Sequence, residues 1–500
     1  MTALAIGFGK VDVTPPLAVP YLSYYPRQTP FEGVHDRLYA RALAAELAPD
    51  AGSDAGSNAS GEPGSDRDTG AAQRLAIVAV DSLGLSRSVL GLGRDLIAEV
   101  RRRVARATGI PHANVLITAT HAHSTPQTTD LTAVREVSPA VAAWLERLVE
   151  QLAAAVTVAW TRRVPAELRG ATGSAPGIAW CRRIITRDGR IVRLGARPAD
   201  EDVIKEPRDD RVPVLLASAL ATPNGAPTVA TDRPVTVLGA MMGFTCHPTT
   251  VQVQPFVSAD YPGVACAIAE RELNADACLF LQGACGNVGP VRATTDFRDV
   301  ALYGRSLGGE ALRALSLLQA PDLPPMPPVL AVGSETVELE RRPLPDPRTL
   351  AAQLPALRER IERATTDEER RLAIAAYRGV AEPLRLAQLG TGPVRMEVQA
   401  LRLGDALIIA CEGELFVEYG NRIKDASPGA VTFVAAYSNG YQGYICTPET
   451  FDEGGYEPSL GPWTRVWRSG GETLTRRAVA LADRVWAAGE AQHTPSPADP

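Results

Sequence analysis

Four apolar, strand-like runs in this 500-residue chain each end on a residue able to bind metal or move a proton, and no other feature constrains the fold as much. The run at 114–120 delivers His121 and His123, two of only six histidines. Side chains at i and i+2 of an extended segment point to one face, so both rings can serve one site. A second run, 237–246, ends on His247, and Pro248 closes the strand behind it. A third, 406–411, leads into Glu412, Gly413 and Glu414, and a fourth, 431–437, opens onto the tyrosine-rich turn 438–444. Active sites of α/β proteins are assembled from strand ends in this way. An isolated H-x-H fits equally well a pair of hydrogen-bonded histidines, so the other three strand ends carry the argument.

The pattern along the chain predicts an α/β fold, with a mixed β-sheet core and flanking helices. Strands are expected at 7–14, 37–47 and 74–80, then a helix at 89–108 that leads into the His121 strand as a βαβ-like unit. A second long helix is expected at 139–158, a D-G hairpin turn at 187–190, strands at 212–220 and 235–246, and a helix at 261–273. The strand 277–282 exits into glycine-rich 283–290, and a helix at 300–318 follows. Residues 345–390 read as a charged helical excursion, after which 394–410 and 431–437 complete the sheet and 471–491 forms the last helix. One catalytic unit over 1–491 is expected, with a disordered insert at 50–72, which has no large apolar residue, and a disordered tail at 492–500.

Composition narrows the class. Hydrophobic residues make up 45% of the chain and charged ones 22%, ordinary for a globular protein. A net charge of −6 gives no general attraction to nucleic acid or anionic lipid. The first 14 residues include Lys10 and Asp12 and lack a basic segment followed by a long apolar one, and no run approaches the ~18–20 apolar residues of a membrane span. A cytoplasmic protein without stable membrane association is expected. Its seven cysteines show no C-x-x-C spacing and are expected to be reduced, buried thiols, with Cys246 and Cys411 next to candidate ligands.

Several ordered motifs resemble the neutral ceramidase family, the metal-dependent amide hydrolases that cleave N-acyl sphingosine, and especially its shorter bacterial relatives. They are G-F-G-K-V-D-V-T-P at 7–15, G-V-H-D-R-L-Y-A-R-A at 33–42, Asp81, T-H-A-H-S-T-P at 120–126, S-A-D-Y-P-G at 258–263, Q-G-A-C-G at 282–286, Y-I-C-T-P-E at 444–449 and the Tyr456-Glu457 pair. The resemblance implies one zinc ion per chain, held by His121, His247, Glu414 and Tyr444. Glu414 is preferred to Glu412 because it keeps the family's spacing to Gly420. Two neutral imidazoles and a carboxylate suit zinc. His123 is implied as the proton shuttle beside the metal, Tyr456 as an oxyanion or substrate contact, and Arg183, or its neighbour Arg182, as a substrate contact.

Two departures shape the expected function. Gly289 stands where the family carries a serine implicated in catalysis, and Asn287 replaces an aspartate. Backbone amides of 286–290 are left as a possible oxyanion nest. The chain also ends soon after the Tyr456 block, so no immunoglobulin-like C-terminal domain is expected. The reading is a zinc-dependent hydrolase that cleaves an amide of a small soluble N-acyl compound by metal-activated water. The alternatives are an ester or lactone hydrolase, a true ceramidase, and a catalytically silent zinc protein. Oligomeric state is left open.

Overall fold

The computed structural model describes residues 4–19, 30–48, 73–91, 93–130, 139–193, 198–220, 236–291, 296–388 and 390–493. The insert expected at 50–72 lies outside these residues, as does the tail beyond 493. The last helix, Gly470–His493, runs two residues further than expected.

Eight strands make the larger sheet: β1 Leu4–Asp12, β2 Tyr39–Leu47, β3 Gln73–Val80, β4 Val115–Ala119, β5 Val164–Ser174, β6 Arg211–Ala219, β7 Val237–Phe244 and β8 Ala277–Gln282. Their spatial order is β8-β7-β6-β5-β1-β2-β3-β4. The β3/β4 and β7/β8 pairs are parallel and the remaining pairs antiparallel. The sequence pattern predicted that the strands at 394–410 and 431–437 complete this sheet, and they do not. Instead β9 Leu330–Leu339, β10 Val394–Leu403, β11 Ala406–Cys411 and β12 Val431–Ala435 form a second, four-stranded sheet. Its apolar residues Leu401, Ile408 and Phe433 pack on Ile6, Phe8, Leu279 and Leu281 of the first.

Helices cover the outer faces. On the large sheet lie α1 Leu96–Thr108, α2 Pro139–Thr161, α3 Asp260–Glu272 and α4 Phe297–Leu317. The small sheet is covered by α7 Val417–Ala426 and α8 Gly470–His493. The excursion is a helical hairpin, α5 Pro347–Arg363 and α6 Asp367–Gln388. No helix among the described residues is long and apolar enough to cross a membrane.

Strand alternation explains the opening motif. Ile6 and Phe8 point into the core between the sheets. Gly7 and Gly9 point the other way, where a Cβ would collide with the Ala159 and Ala155 carbonyls of α2. The G-x-G spacing thus lets helix and strand approach closely. Where a helix was expected from residue 89, a short turn at Arg87–Leu90 is followed by Gly91 and Gly93 at φ 107° and 74°, and α1 starts only at Leu96. Asp95 caps it, accepting from the Ala98 amide at 3.0 Å.

Other motif carboxylates are structural. Asp81 pairs with buried Arg41 at 2.9 Å, and Asp36 accepts from the Ser258 hydroxyl and the Ala259 amide. Asp260, at φ 55°, accepts from the Thr250 amide at 2.9 Å and so ties down the loop that follows His247. Burial lifts its carboxyl to about 6, although the backbone amides favour the charged form. A raised folded-state value means that this stability is fully present below the unfolded pKa near 4 and is lost as pH rises through about 6. In urea unfolding, the destabilisation caused by Asp260→Asn is therefore expected to shrink by about 1–2 kcal/mol between pH 5 and pH 7.5.

Candidate metal centre

The parallel pairs of both sheets bring their strand exits together. Beyond β12, the Ala436 amide donates to the Gln282 carbonyl at the end of β8. Asn439 clasps β4: its amide donates to Ile117 O at 2.7 Å, and its side-chain oxygen accepts from the Ile117 amide at 3.0 Å. Loops from both sheets therefore converge on one buried volume.

His121 lies two residues past β4, at φ 65°, a left-handed conformation unusual for a residue other than glycine. The pairing of His121 with His123 thus comes from this turn and not from the strand pleat that the sequence suggested. Holding the turn are a 2.6 Å bond from His121 Nδ1 to the Leu83 carbonyl and stacking on Tyr437, with ring centroids 3.9 Å apart. His123 Nε2 lies 3.2 Å from His121 Nε2. On the other side, His247 Nδ1 lies 2.6 Å from the Cys285 carbonyl and 3.0 Å from that of Val288.

Glu414 reaches the centre from a two-residue strand, Glu414–Leu415, paired in parallel with Tyr444–Ile445. Gly286 passes so close that a Cβ there would strike the Glu414 carbonyl. Glu414 Oε2 is 3.1 Å from His247 Nε2 and 3.5 Å from His121 Nε2, and Oε1 accepts the Tyr441 hydroxyl. Glu412 takes no part, being turned to Arg87 and Gln442. Tyr441 was not singled out from the sequence, although it stands in the tyrosine-rich turn that was.

The chemistry of this donor set bears on a metal. Carbonyls only accept, so the Nδ1 atoms of His121 and His247 carry protons and, in neutral rings, both Nε2 atoms present lone pairs. These face the Glu414 carboxylate, whose charge burial opposes; His121 and His247 hold that group well below the usual range only as proton-bearing rings, and with both rings neutral the charge needs a cation instead. A second proton on His247 is disfavoured, because burial, then Arg182, push its ring down to about 4. Lone pairs and carboxylate at 3.1–3.5 Å repel unless a cation lies among them. The residues fit a divalent ion bound by nitrogen and oxygen. Among the described residues, His121, His123 and His247 form a group whose ligand atoms lie within 4.8 Å of one another. Cys246 is not thiolate-like, since burial pushes its thiol well up, and all seven cysteines are free and buried.

Around this centre, Tyr444 lies in register beside Glu414, with its hydroxyl 3.5 Å from Arg182 Nη2. Tyr456 meets the Tyr444 ring edge-on at 5.8 Å and is half exposed. Arg183, the arginine favoured from the sequence, is instead bound to Glu453 at 2.8 Å and Glu457 at 3.1 Å, whereas Arg182 faces Tyr444. In the 286–290 loop, two of the amides that could form a nest are already taken. The Gly286 and Val288 amides already donate to Leu415 and Cys285, and it is the carbonyls that face His247 and Arg182. Asn287 bridges to α7, accepting from the Val417 amide and donating to Glu418, both at 2.8 Å. His123 is partly buried, and burial followed by the neighbouring histidines holds its ring neutral, well below the usual value.

No protein-family profile matches the sequence, and no curated protein matches it. Solved structures do match in fold. The neutral ceramidase from Pseudomonas aeruginosa superposes with a TM-score of 0.63 at 19% identity, over 97% of this chain and 75% of that one. A ceramidase complexed with C2 gives 0.65 at 18%, over 98% and 76%. The chain has the neutral ceramidase fold.

Tyr441→Phe removes the hydroxyl that bonds Glu414 while keeping the ring. Chelator competition is expected to show zinc affinity about 10–100-fold weaker than wild type. Unchanged affinity would mean that this bond does not position the carboxylate.

Proposed function

We propose that this protein is a metal-dependent hydrolase that cleaves the amide bond of a small N-acyl compound, with one zinc ion held by His121, His247, Glu414 and Tyr444. The observation that carries this reading is the buried arrangement that brings His121 Nε2 and His247 Nε2 within 3.5 Å of Glu414 Oε2. The fold shared with the ceramidases supports the choice of an amide. When bound, the ion supplies Lewis acidity to a carbonyl oxygen and acidifies a water molecule.

The chain's own groups do the rest. His123, neutral and 3.2 Å from His121, takes the proton released as water attacks and returns it to the departing amine. Arg182, buried beside Tyr444 and Glu457, stays charged and faces the developing oxyanion together with the half-exposed Tyr456. Arg183 holds the Glu453–Glu457 segment and so positions Tyr456. Gly289 carries no hydroxyl, so proton transfer rests on His123.

Purified wild type is expected to hold about one zinc per chain and to hydrolyse members of a panel of N-acyl amides, esters, lactones and short-chain ceramide. His121→Ala and Glu414→Gln should lose metal and turnover together. His123→Ala should keep metal and lose about 10²–10⁴ in kcat. Failure of wild type to take up zinc, or full activity in His123→Ala, would contradict the assignment.

A further inference from the structure

A cavity of about 1090 Å³ lies behind Tyr441, the residue whose hydroxyl bonds Glu414. Its walls come from the turn before α1, from α2, from the end of α6 and from β10, and they include the apolar Val89, Leu145 and Val394. Six arginines line it against three carboxylates, in a protein whose net charge is −6.

Three of these arginines are already neutralised. Arg87 is held by Glu412, Glu397 and Asp95, Arg94 by Glu99 and Glu146, and Arg465 by Asp130 at 2.7 Å. Arg395 is largely exposed and meets Glu338 only at 3.7 Å. Arg341 and Arg385 pair with no carboxylate among the described residues. Arg341 Nε donates to the Gly392 carbonyl at 2.6 Å, but its Nη1 is buried and bonds nothing. Leaving such a donor unmet costs more than an ordinary hydrogen bond returns. Arg341 also faces like charge: burial, then Arg465, lower its guanidinium from the ordinary value.

We infer that this cavity binds a small molecule bearing a carboxylate or phosphate group, held by Arg341 and Arg385. An oxyanion would offset the Arg341–Arg465 repulsion and accept charge-assisted hydrogen bonds from the accessible N–H groups of Arg341 and Arg385, which pair with no carboxylate among the described residues. A neutral ligand could accept a hydrogen bond but would leave the like charges of Arg341 and Arg465 uncompensated. Because Tyr441 and Gln442 wall the cavity while Tyr441 bonds Glu414, the bound anion lies one side chain away from the metal centre. The site is separate from the four proposed metal ligands, none of which lines it.

Calorimetric titration with citrate and with inorganic phosphate tests the inference, in wild type and in metal-free His121→Ala, where chelation cannot be mistaken for binding. Binding of at least one probe is expected in both proteins, weakened about tenfold or more by Arg341→Gln and by Arg385→Gln, and largely kept by Arg341→Lys. Citrate alone would identify a carboxylate ligand and phosphate alone a phosphate ligand. Arg385 is partly exposed, so its variant remains informative if Arg341→Gln fails to fold. Absence of binding by either probe in both proteins, or equal affinity in the glutamine variants, would overturn the inference. Loss of zinc from His121→Ala with citrate binding retained would separate this site from the hydrolase assignment.

Discussion

Two imidazole lone pairs and a carboxylate, buried together and facing one another, are the interaction on which the rest of this molecule turns. Each ring has used its only neutral-state proton on a backbone carbonyl. What remains at the centre is electron-rich on every side, and burial makes additional protons on His247 unfavourable. Such an arrangement is costly unless a positive charge sits within it. The strain at His121 and the bond from Tyr441 to Glu414 belong to the same centre, because each fixes one of its side chains in a single orientation.

The fold exists around this convergence. Two sheets stacked through Phe8, Leu281 and Phe433 give a rigid base, and the loops leaving their parallel strands meet at one end. The Asn439 clasp on Ile117 and the Ala436 bond to Gln282 lock the small sheet's exits to those of the large one. Glycine at 286 lets a loop of the large sheet run against the Glu414 backbone with no side chain between. Each contact joins segments far apart in sequence, so the centre depends on the tertiary fold and on no single motif.

Much of this was legible in the chain. Strands ending on His121, His247 and Glu414 are local hydrophobic patterns with polar ends, and they read directly. The second sheet was not legible, because apolar alternation in β9 to β12 is the same whichever sheet the strands join. Nor was the choice between Arg182 and Arg183. Glu457 pairs with both, and which of the two faces Tyr444 and which faces Glu453 is decided by a distant loop. Tyr441 escaped notice because its partner lies 27 residues away across a backbone that turns through Gly413 at φ 101°. The late start of α1 was legible in principle from Gly91 and Gly93.

Anomalous diffraction at the zinc edge from crystals of zinc-loaded protein tests the central claim most directly. The account predicts one strong peak within bonding distance of His121 Nε2, His247 Nε2 and the Glu414 carboxylate, and no peak on Cys246. A crystal with no peak there, and with His247 Nε2 still about 3 Å from Glu414, would mean that protons hold this cluster together and that no metal belongs in it.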